Sequence, residues 1–168
     1  VQSTWTVVLA GGRGTRLEPL TDLRAKPAVP FGGTLRIVDF ALCNAVNAGL
    51  RRISVLTQYR GHGLIRHVAR GWRDAAPGVF VDAVPAQQKT GEGWYAGTAD
   101  AVHQNLDLLE ESGARWVLVL AGDHVCRIDH RPMLVEHVRS GAGATVACTE
   151  VPREAASAFG VLRVDGSG

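Results

Sequence analysis

The segment Leu9-Ala-Gly-Gly-Arg-Gly-Thr-Arg-Leu17 holds the residues best suited to gripping an anion. Consecutive glycines let a backbone turn tightly and come close to a ligand. N–H groups left free in such a turn favour negative charge. Arg13 and Arg16 add cations inside the run, and Arg24 and Lys26 follow. From residue 11 to residue 33 there are four basic residues and two acidic ones, Glu18 and Asp22. That excess equals the net charge of +2 carried by all 168 residues, and it suits a triphosphate. Two commoner phosphate loops are excluded. A dinucleotide fingerprint needs a third glycine where Leu17 stands, and a Walker A loop needs a Gly-Lys-Ser/Thr ending that does not occur. Lys26 is one of only two lysines in a chain with sixteen arginines. A lysine placed against that bias suggests a position that wants a compact ammonium instead of a planar fork.

A short Gly-Gly-x-Gly run is also compatible with a surface turn bearing solvated arginines. What positions it decides between the two. Residues 4–10 read as a buried strand that stops at the glycines. Residues 11–33 form a long loop, of a length that in compact domains is commonly functional. A helix over 36–48, closed by Gly49, a strand over 52–57 and a helix over 61–70 follow. Residues 79–84 form a short strand. Thr98 is placed to cap a helix that runs to Gly113, with Asp100 in its first turn. Residues 115–120, apolar from Trp116 to Leu120, are expected to form a central strand covered on both faces. A helix around 131–139 and strands around 144–151 and 159–164 complete the chain.

Strand–helix alternation predicts an α/β fold, a Rossmann-like, mainly parallel sheet with helices on both faces. In such sheets ligands sit beyond the carboxyl ends of the strands. Gly11 and Asp123 each follow a predicted strand, so they can meet at one site although more than a hundred residues separate them. On residue type alone, Asp123 is equally an ordinary cap after a strand, and Lys26 a solvated lysine.

Composition removes several function classes. A hydrophobic fraction of 46% and a charged fraction of 20% are those of a globular protein, and +2 is too weak a charge for a nucleic-acid binder. No apolar stretch is long enough to span a bilayer, and no signal peptide is visible at the start. Cys43, Cys126 and Cys148, odd in number and without metal spacing, are expected to be reduced, buried thiols of a cytoplasmic protein. His124 has no paired His or Cys at zinc-ligand spacing.

The run from Leu9 to Leu17, with Arg24-Ala-Lys26-Pro27-Ala-Val and Phe31-Gly-Gly, resembles the signature of ADP-glucose pyrophosphorylases. The strings Asp39-Phe-Ala-Leu-Cys-Asn44, Thr57-Gln-Tyr59, Pro85-Ala-Gln-Gln88, Trp94-Tyr-Ala-Gly-Thr-Ala-Asp-Ala101, Ala121-Gly-Asp-His124 and Glu154-Ala-Ala-Ser-Ala-Phe-Gly-Val161 are similar to that family as well. The resemblance covers essentially the whole chain. It implies a nucleotidyltransferase fold, incomplete at its carboxyl end, with residues 1–168 as a truncated N-terminal catalytic domain. The family's C-terminal β-helix and a second metal-binding aspartate lie beyond it. The implied reaction joins ATP to glucose 1-phosphate with Mg²⁺, for glycogen biosynthesis, in an allosteric, cytoplasmic enzyme whose full-length form is a homotetramer. The alternatives are another sugar-1-phosphate nucleotidyltransferase, or a truncated chain that binds nucleotide without catalysis.

Residue by residue, the resemblance implies that Arg13 holds the β- and γ-phosphates and that Gly11, Gly12 and Gly14 supply close backbone contacts. Leu9 and Thr15 belong to the same nucleotide-binding run. Lys26 would touch phosphates near the reacting centre, and Asp123 would bind Mg²⁺. Gln87 and Gly97 would recognise base and ribose. Tyr95 and Gly160 would line the sugar side, although Tyr95 is equally a packing aromatic. Trp94 and Gln58 match positions linked to regulation, or are structural. Leu23 and Pro30 replace the Lys and His common in members activated by sugar bisphosphates.

Overall fold

The computed structural model describes residues 3–12, 14–87 and 94–162. They fall into two compact units, Val1–Pro132 and Met133–Gly168. The first contains a four-stranded parallel sheet. Its strands are β1 (Thr4–Ala10), β4 (Arg52–Thr57), β5 (Phe80–Pro85) and β6 (Trp116–Ala121), in the order β5-β4-β1-β6. A small antiparallel pair, β2 (Pro30–Phe31) and β3 (Leu35–Arg36), straddles the end of the expected long loop. The helices of this unit are α1 (Ile37–Asn47), α2 (His62–Gly71), α3 (Thr98–His103) and α4 (Leu106–Ser112). The helix α5 (Arg131–Ser140) begins at the end of the first unit and continues into the second.

β1 is the centre of the sheet. It pairs in parallel with β4 from Trp5↔Arg52 to Ala10↔Thr57, and with β6 from Thr4↔Trp116 to Leu9↔Ala121. Both faces are covered, since neighbouring Thr6, Val7 and Val8 are all buried. On one face Trp5 and Val7 pack with Leu56, Val84 and Ala101, and with Leu108 and Leu109 of α4. Helices α1 and α2 pack against β1 and β5.

A buried carboxylate ties α1 to α2. Asp39, on the first turn of α1, accepts hydrogen bonds from the Arg36 backbone N–H at 2.7 Å, from Trp72 Nε1 at 2.8 Å and from His67 Nε2 at 2.8 Å. An ionised carboxylate only accepts, so the His67 Nε2 carries the proton. Satisfying the carboxylate this fully is what allows it to be buried.

The structure corrects four expectations. First, the apolar strand β6 lies at an edge of the described sheet, and Val117 and Val119 on it are exposed. Uniform apolarity shows what a strand is able to bury but does not choose its neighbours. Second, the expected helix from Thr98 to Gly113 breaks at Gln104–Asn105. Buried Asn105 turns its Nδ2 onto the Ala101 carbonyl at 2.7 Å, and such local side-chain bonds compete with the helical ladder. Gly97 caps α3 in place of Thr98, which opens the helix without a side-chain cap bond. Third, no strand forms at 144–151 or 159–162, where Val146, Phe159, Val161 and Leu162 are exposed. A strand requires a neighbour to exchange hydrogen bonds with, and none is found there among the described residues; residues 163 and 164 lie outside them. Fourth, all three cysteines are exposed, although their thiols are free as expected. Cys43 lies on α1 with Asp39 in electrostatic range; partial desolvation of the thiol raises it above the ordinary value, and Asp39 adds to that.

One unpartnered buried oxygen has a measurable consequence. Asp82 on β5 lies opposite Ser54 in the register, and its Oδ1 is buried without a partner among the described residues. Burial raises its pKa, and hydrogen bonds from Ser54 and its own backbone only partly oppose that. The folded state therefore holds this proton more tightly than the unfolded state. Its contribution favours folding below the unfolded pKa and is lost as pH rises through the folded one. Asp82→Asn is expected to exceed the parent in stability by about 1 kcal/mol near neutral pH. Urea unfolding should show that advantage shrinking as the pH is lowered toward the ordinary aspartate range and the parent's carboxyl takes up its proton.

Candidate active site

The carboxyl ends of β1, β4 and β6 open into a cavity of about 520 Å³ lined by residues of the first unit. The lining includes Leu9, Gly11, Gly12, Gly14, Thr15 and Arg16 from the segment after β1, together with Lys26, Gln58, Tyr95, Gly97, Thr98 and Asp123. Parallel pairing brings these segments together, because each strand of such a sheet ends on the same side.

Glycine is required at particular points by space. Gly14 has φ 71°, a left-handed conformation, and a Cβ there would fall 2.6 Å from the Lys26 Cβ and 3.1 Å from the Thr21 Cγ2. Thr21 Oγ1 donates to the Gly14 carbonyl at 3.0 Å, closing the loop on itself. At the far strand, a Cβ on Gly122 would meet the Leu9 carbonyl oxygen at 2.9 Å. The Gly122 N–H also donates to that oxygen at 2.9 Å, so β1 and β6 are drawn together where Asp123 emerges.

The polar centre is one ion pair. Lys26 Nζ lies 2.8 Å from Asp123 Oδ2, joining residues 97 positions apart. Both side chains are partly exposed, at 31% and 37%. Asp123 Oδ1 is left toward His124, whose Nε2 stands 3.9 Å away on a largely exposed ring. Among the described residues no three His, Cys, Asp or Glu side chains gather as a metal cage. A lone carboxylate with an accessible oxygen fits a hard cation that brings its own waters and phosphate ligands, the habit of Mg²⁺.

Tyr95 is fixed from beneath. Its hydroxyl accepts from Asn105 Nδ2 at 3.0 Å, and its ring packs against the cluster around Trp5 and Leu56. It is at once a packing aromatic and part of the cavity wall.

Most of the residues singled out from the sequence meet here: Leu9, Gly11, Gly12, Gly14, Thr15, Lys26, Tyr95, Gly97 and Asp123 all line the cavity. Gln87 is exposed and is not part of the lining. Gly160 is exposed in the second unit. Arg13 lies outside the described residues. Gln58 is a wall residue that the sequence did not place there; a Cβ on Gly11 would sit 3.1 Å from its Cβ. The signal was available, since Gln58 directly follows a strand as Gly11 does. Thr98 and Ala101 join the wall through the start of α3, which the pattern of glycines and charges does not reveal.

Sequence comparison agrees with this architecture. Residues 5–168 match the nucleotidyl transferase family, and the chain belongs to it. Enzymes of that family generally use a divalent metal ion. The chain is 57% identical over 167 residues to glucose-1-phosphate adenylyltransferase 2 of Alkalilimnicola ehrlichii, covering 98% of this chain and 40% of that protein. It is 57% identical over 169 residues to the glucose-1-phosphate adenylyltransferase of Nitrosomonas europaea, covering 99% of this chain and 39% of that protein. It therefore spans about two-fifths of the length of these relatives. A solved structure described as a glucose-1-phosphate thymidylyltransferase from Bacillus anthracis shares the fold, with a TM-score of 0.64 over 81% of this chain and 50% of that one, at 23% identity. No described helix is long and apolar enough to cross a membrane.

Two glycines separate space from conformation. Gly122→Ala should destabilise the fold by about 1–3 kcal/mol, because its Cβ collides with backbone that cannot move aside. Gly12→Ala meets nothing within 4 Å and should stay within about 0.5 kcal/mol of the parent. Chemical denaturation of the two variants side by side checks the contrast.

Proposed function

We propose that this chain forms the catalytic portion of an enzyme that transfers the adenylyl group of ATP to glucose 1-phosphate, releasing pyrophosphate and forming ADP-glucose for glycogen synthesis. The observation that carries the reading is the meeting of Lys26 with Asp123 at 2.8 Å in the cavity lined by Gly11, Gly12 and Gly14, in a chain more than half identical to glucose-1-phosphate adenylyltransferases.

In this reaction an oxygen of the sugar phosphate bonds to the α-phosphorus as the bond to the bridging oxygen breaks. Pyrophosphate leaves with the electron pair. The attacking phosphate is already an anion, so the barrier is set by charge and alignment, and positioned cations lower it. Mg²⁺ would supply Lewis-acid neutralisation of the phosphates, held through Asp123. The backbone of Gly11, Gly12, Gly14 and Thr15, with Leu9 beneath, would bring the nucleotide close. Arg13 would hold the β- and γ-phosphates, and Lys26 would neutralise charge where bonds change. Gln87 and Gly97 would take base and ribose, and Tyr95 would face the sugar. A homotetramer in the cytoplasm, with residues 1–168 as the N-terminal part of the catalytic domain, completes the proposal.

The test is pyrophosphate release by the full-length protein, with Mg²⁺, across a panel of nucleoside triphosphates and sugar 1-phosphates. Selective turnover of ATP with glucose 1-phosphate is expected. Turnover of another pair keeps the family and overturns the substrate; ATP binding without turnover of any pair overturns the enzyme reading. Lys26→Ala and Asp123→Asn should each lower kcat by about a hundredfold or more while the fold persists. Near-parental turnover by a folded Asp123→Asn protein would remove the metal assignment.

A further inference from the structure

The two members of the central ion pair are each borne on short irregular segments, and both segments are tied to the same helix. At the start of α1, Arg36 Nη1 donates to the Ala28 carbonyl at 3.2 Å and to the Gly63 carbonyl at 3.3 Å. The adjacent Ile37 N–H donates to the Val29 carbonyl at 3.1 Å. These bonds grip the 3₁₀ turn Lys26–Ala28 from its far side. The Arg36 backbone is itself pinned by the buried Asp39.

Two turns further along the helix, Asn44 reaches the other segment. Its Nδ2 donates to the Cys126 carbonyl at 2.9 Å, and its Oδ1 accepts from the Ile128 N–H at 3.4 Å. Asn44 is buried and uses both ends of its amide on backbone, holding the stretch that leaves the sheet through Asp123. That stretch, from Asp123 to His130, contains no helix or strand to fix its course.

We propose that Asn44 is a positioning residue for Asp123, and that α1 acts as a splint fixing the Lys26–Asp123 separation, with Arg36 holding the lysine side. The inference rests on the proposed function and adds residues that touch neither substrate nor metal. Groups that orient a metal-binding side chain typically alter affinity by tenfold or more when removed.

The experiment is a double-mutant cycle in the full-length protein, read as the dissociation constant of Mn²⁺·ATP by titration calorimetry. Asn44→Ala alone should weaken binding about tenfold. In an Asp123→Asn background the same substitution should change binding less than about twofold, because the group it positions is already disabled. The thermal midpoint of each variant identifies the folded fraction. An equal loss in both backgrounds, or no loss in the parent, would overturn the inference. If Asn44→Ala does not fold, Asn44→Asp replaces it: the volume and the Ile128 acceptor are kept, and the amide donor to Cys126 gives way to a carboxyl oxygen that repels that carbonyl. Asn44→Asp is held to the same two comparisons. Failure of the unmutated protein to bind Mn²⁺·ATP would instead overturn the functional reading, and this inference with it.

Discussion

β1 is hydrogen-bonded along its length on both sides, and that double pairing is the constraint from which the cavity follows. A strand held on two edges cannot slide, because a one-residue slip would reverse the face to which every side chain points. Its end is therefore a fixed point. The Leu9 carbonyl is gripped by the Gly122 N–H, and the glycine turn begins one residue beyond Ala10. A side chain at residue 122 would collide with that carbonyl, so the close approach of the two strand ends requires glycine there. The turn and Asp123 thus share one anchor, and their relative position is set before any charge interacts.

Stability and function are divided between layers of the same unit. The apolar load is carried by Val7, Val8, Ile53, Val55 and Leu42, all buried and none of them lining the cavity. The polar bonds that shape the loops come from buried but fully engaged groups. Asp39 gathers three donors, Asn44 spans two backbone groups, and Asn105 supports Tyr95. Each such group would be costly if left unpaired, so each enforces one conformation of the segment it touches. Rigid polar anchors beneath, and exposed charges above, are what a site for a highly charged ligand requires.

The sheet and its carboxyl-end site were legible in the sequence because they depend on local signals. β1 and β4 have the expected bounds, and glycines end the strand at the cavity. The meeting of Gly11 with Asp123 followed from the rule for parallel sheets. The rest depends on partners distant in sequence. Whether β6 is central or an edge is decided by which strands pair with it, and its own residues do not encode that. The break at Gln104–Asn105 arises because a buried amide prefers two specific acceptors, one of them the hydroxyl of Tyr95, ten positions earlier. Asn44 reads as an interior helical residue, and its role appears only when the chain returns 82 residues later. Exposure of the cysteines likewise reflects which helix faces find cover, which hydrophobic context within a few residues does not determine.

The strength of the Lys26–Asp123 pair bears on how such a site would take a ligand. With both side chains about one-third exposed, the pair is screened by water and contributes about 0–1 kcal/mol to stability. It holds the two groups at hand without locking them together. A triphosphate entering with its cation would offer each member a stronger partner, phosphate oxygens for the ammonium and the cation for the carboxylate. The exchange loses little, since neither charge is ever left unpaired in a dry environment. A fully buried pair would be far more costly to separate. A pair with no contact would leave two loosely ordered side chains to be immobilised on binding. Partial exposure on a rigidly tethered backbone lies between these extremes, and the bonds from α1 to both flanking segments keep it there.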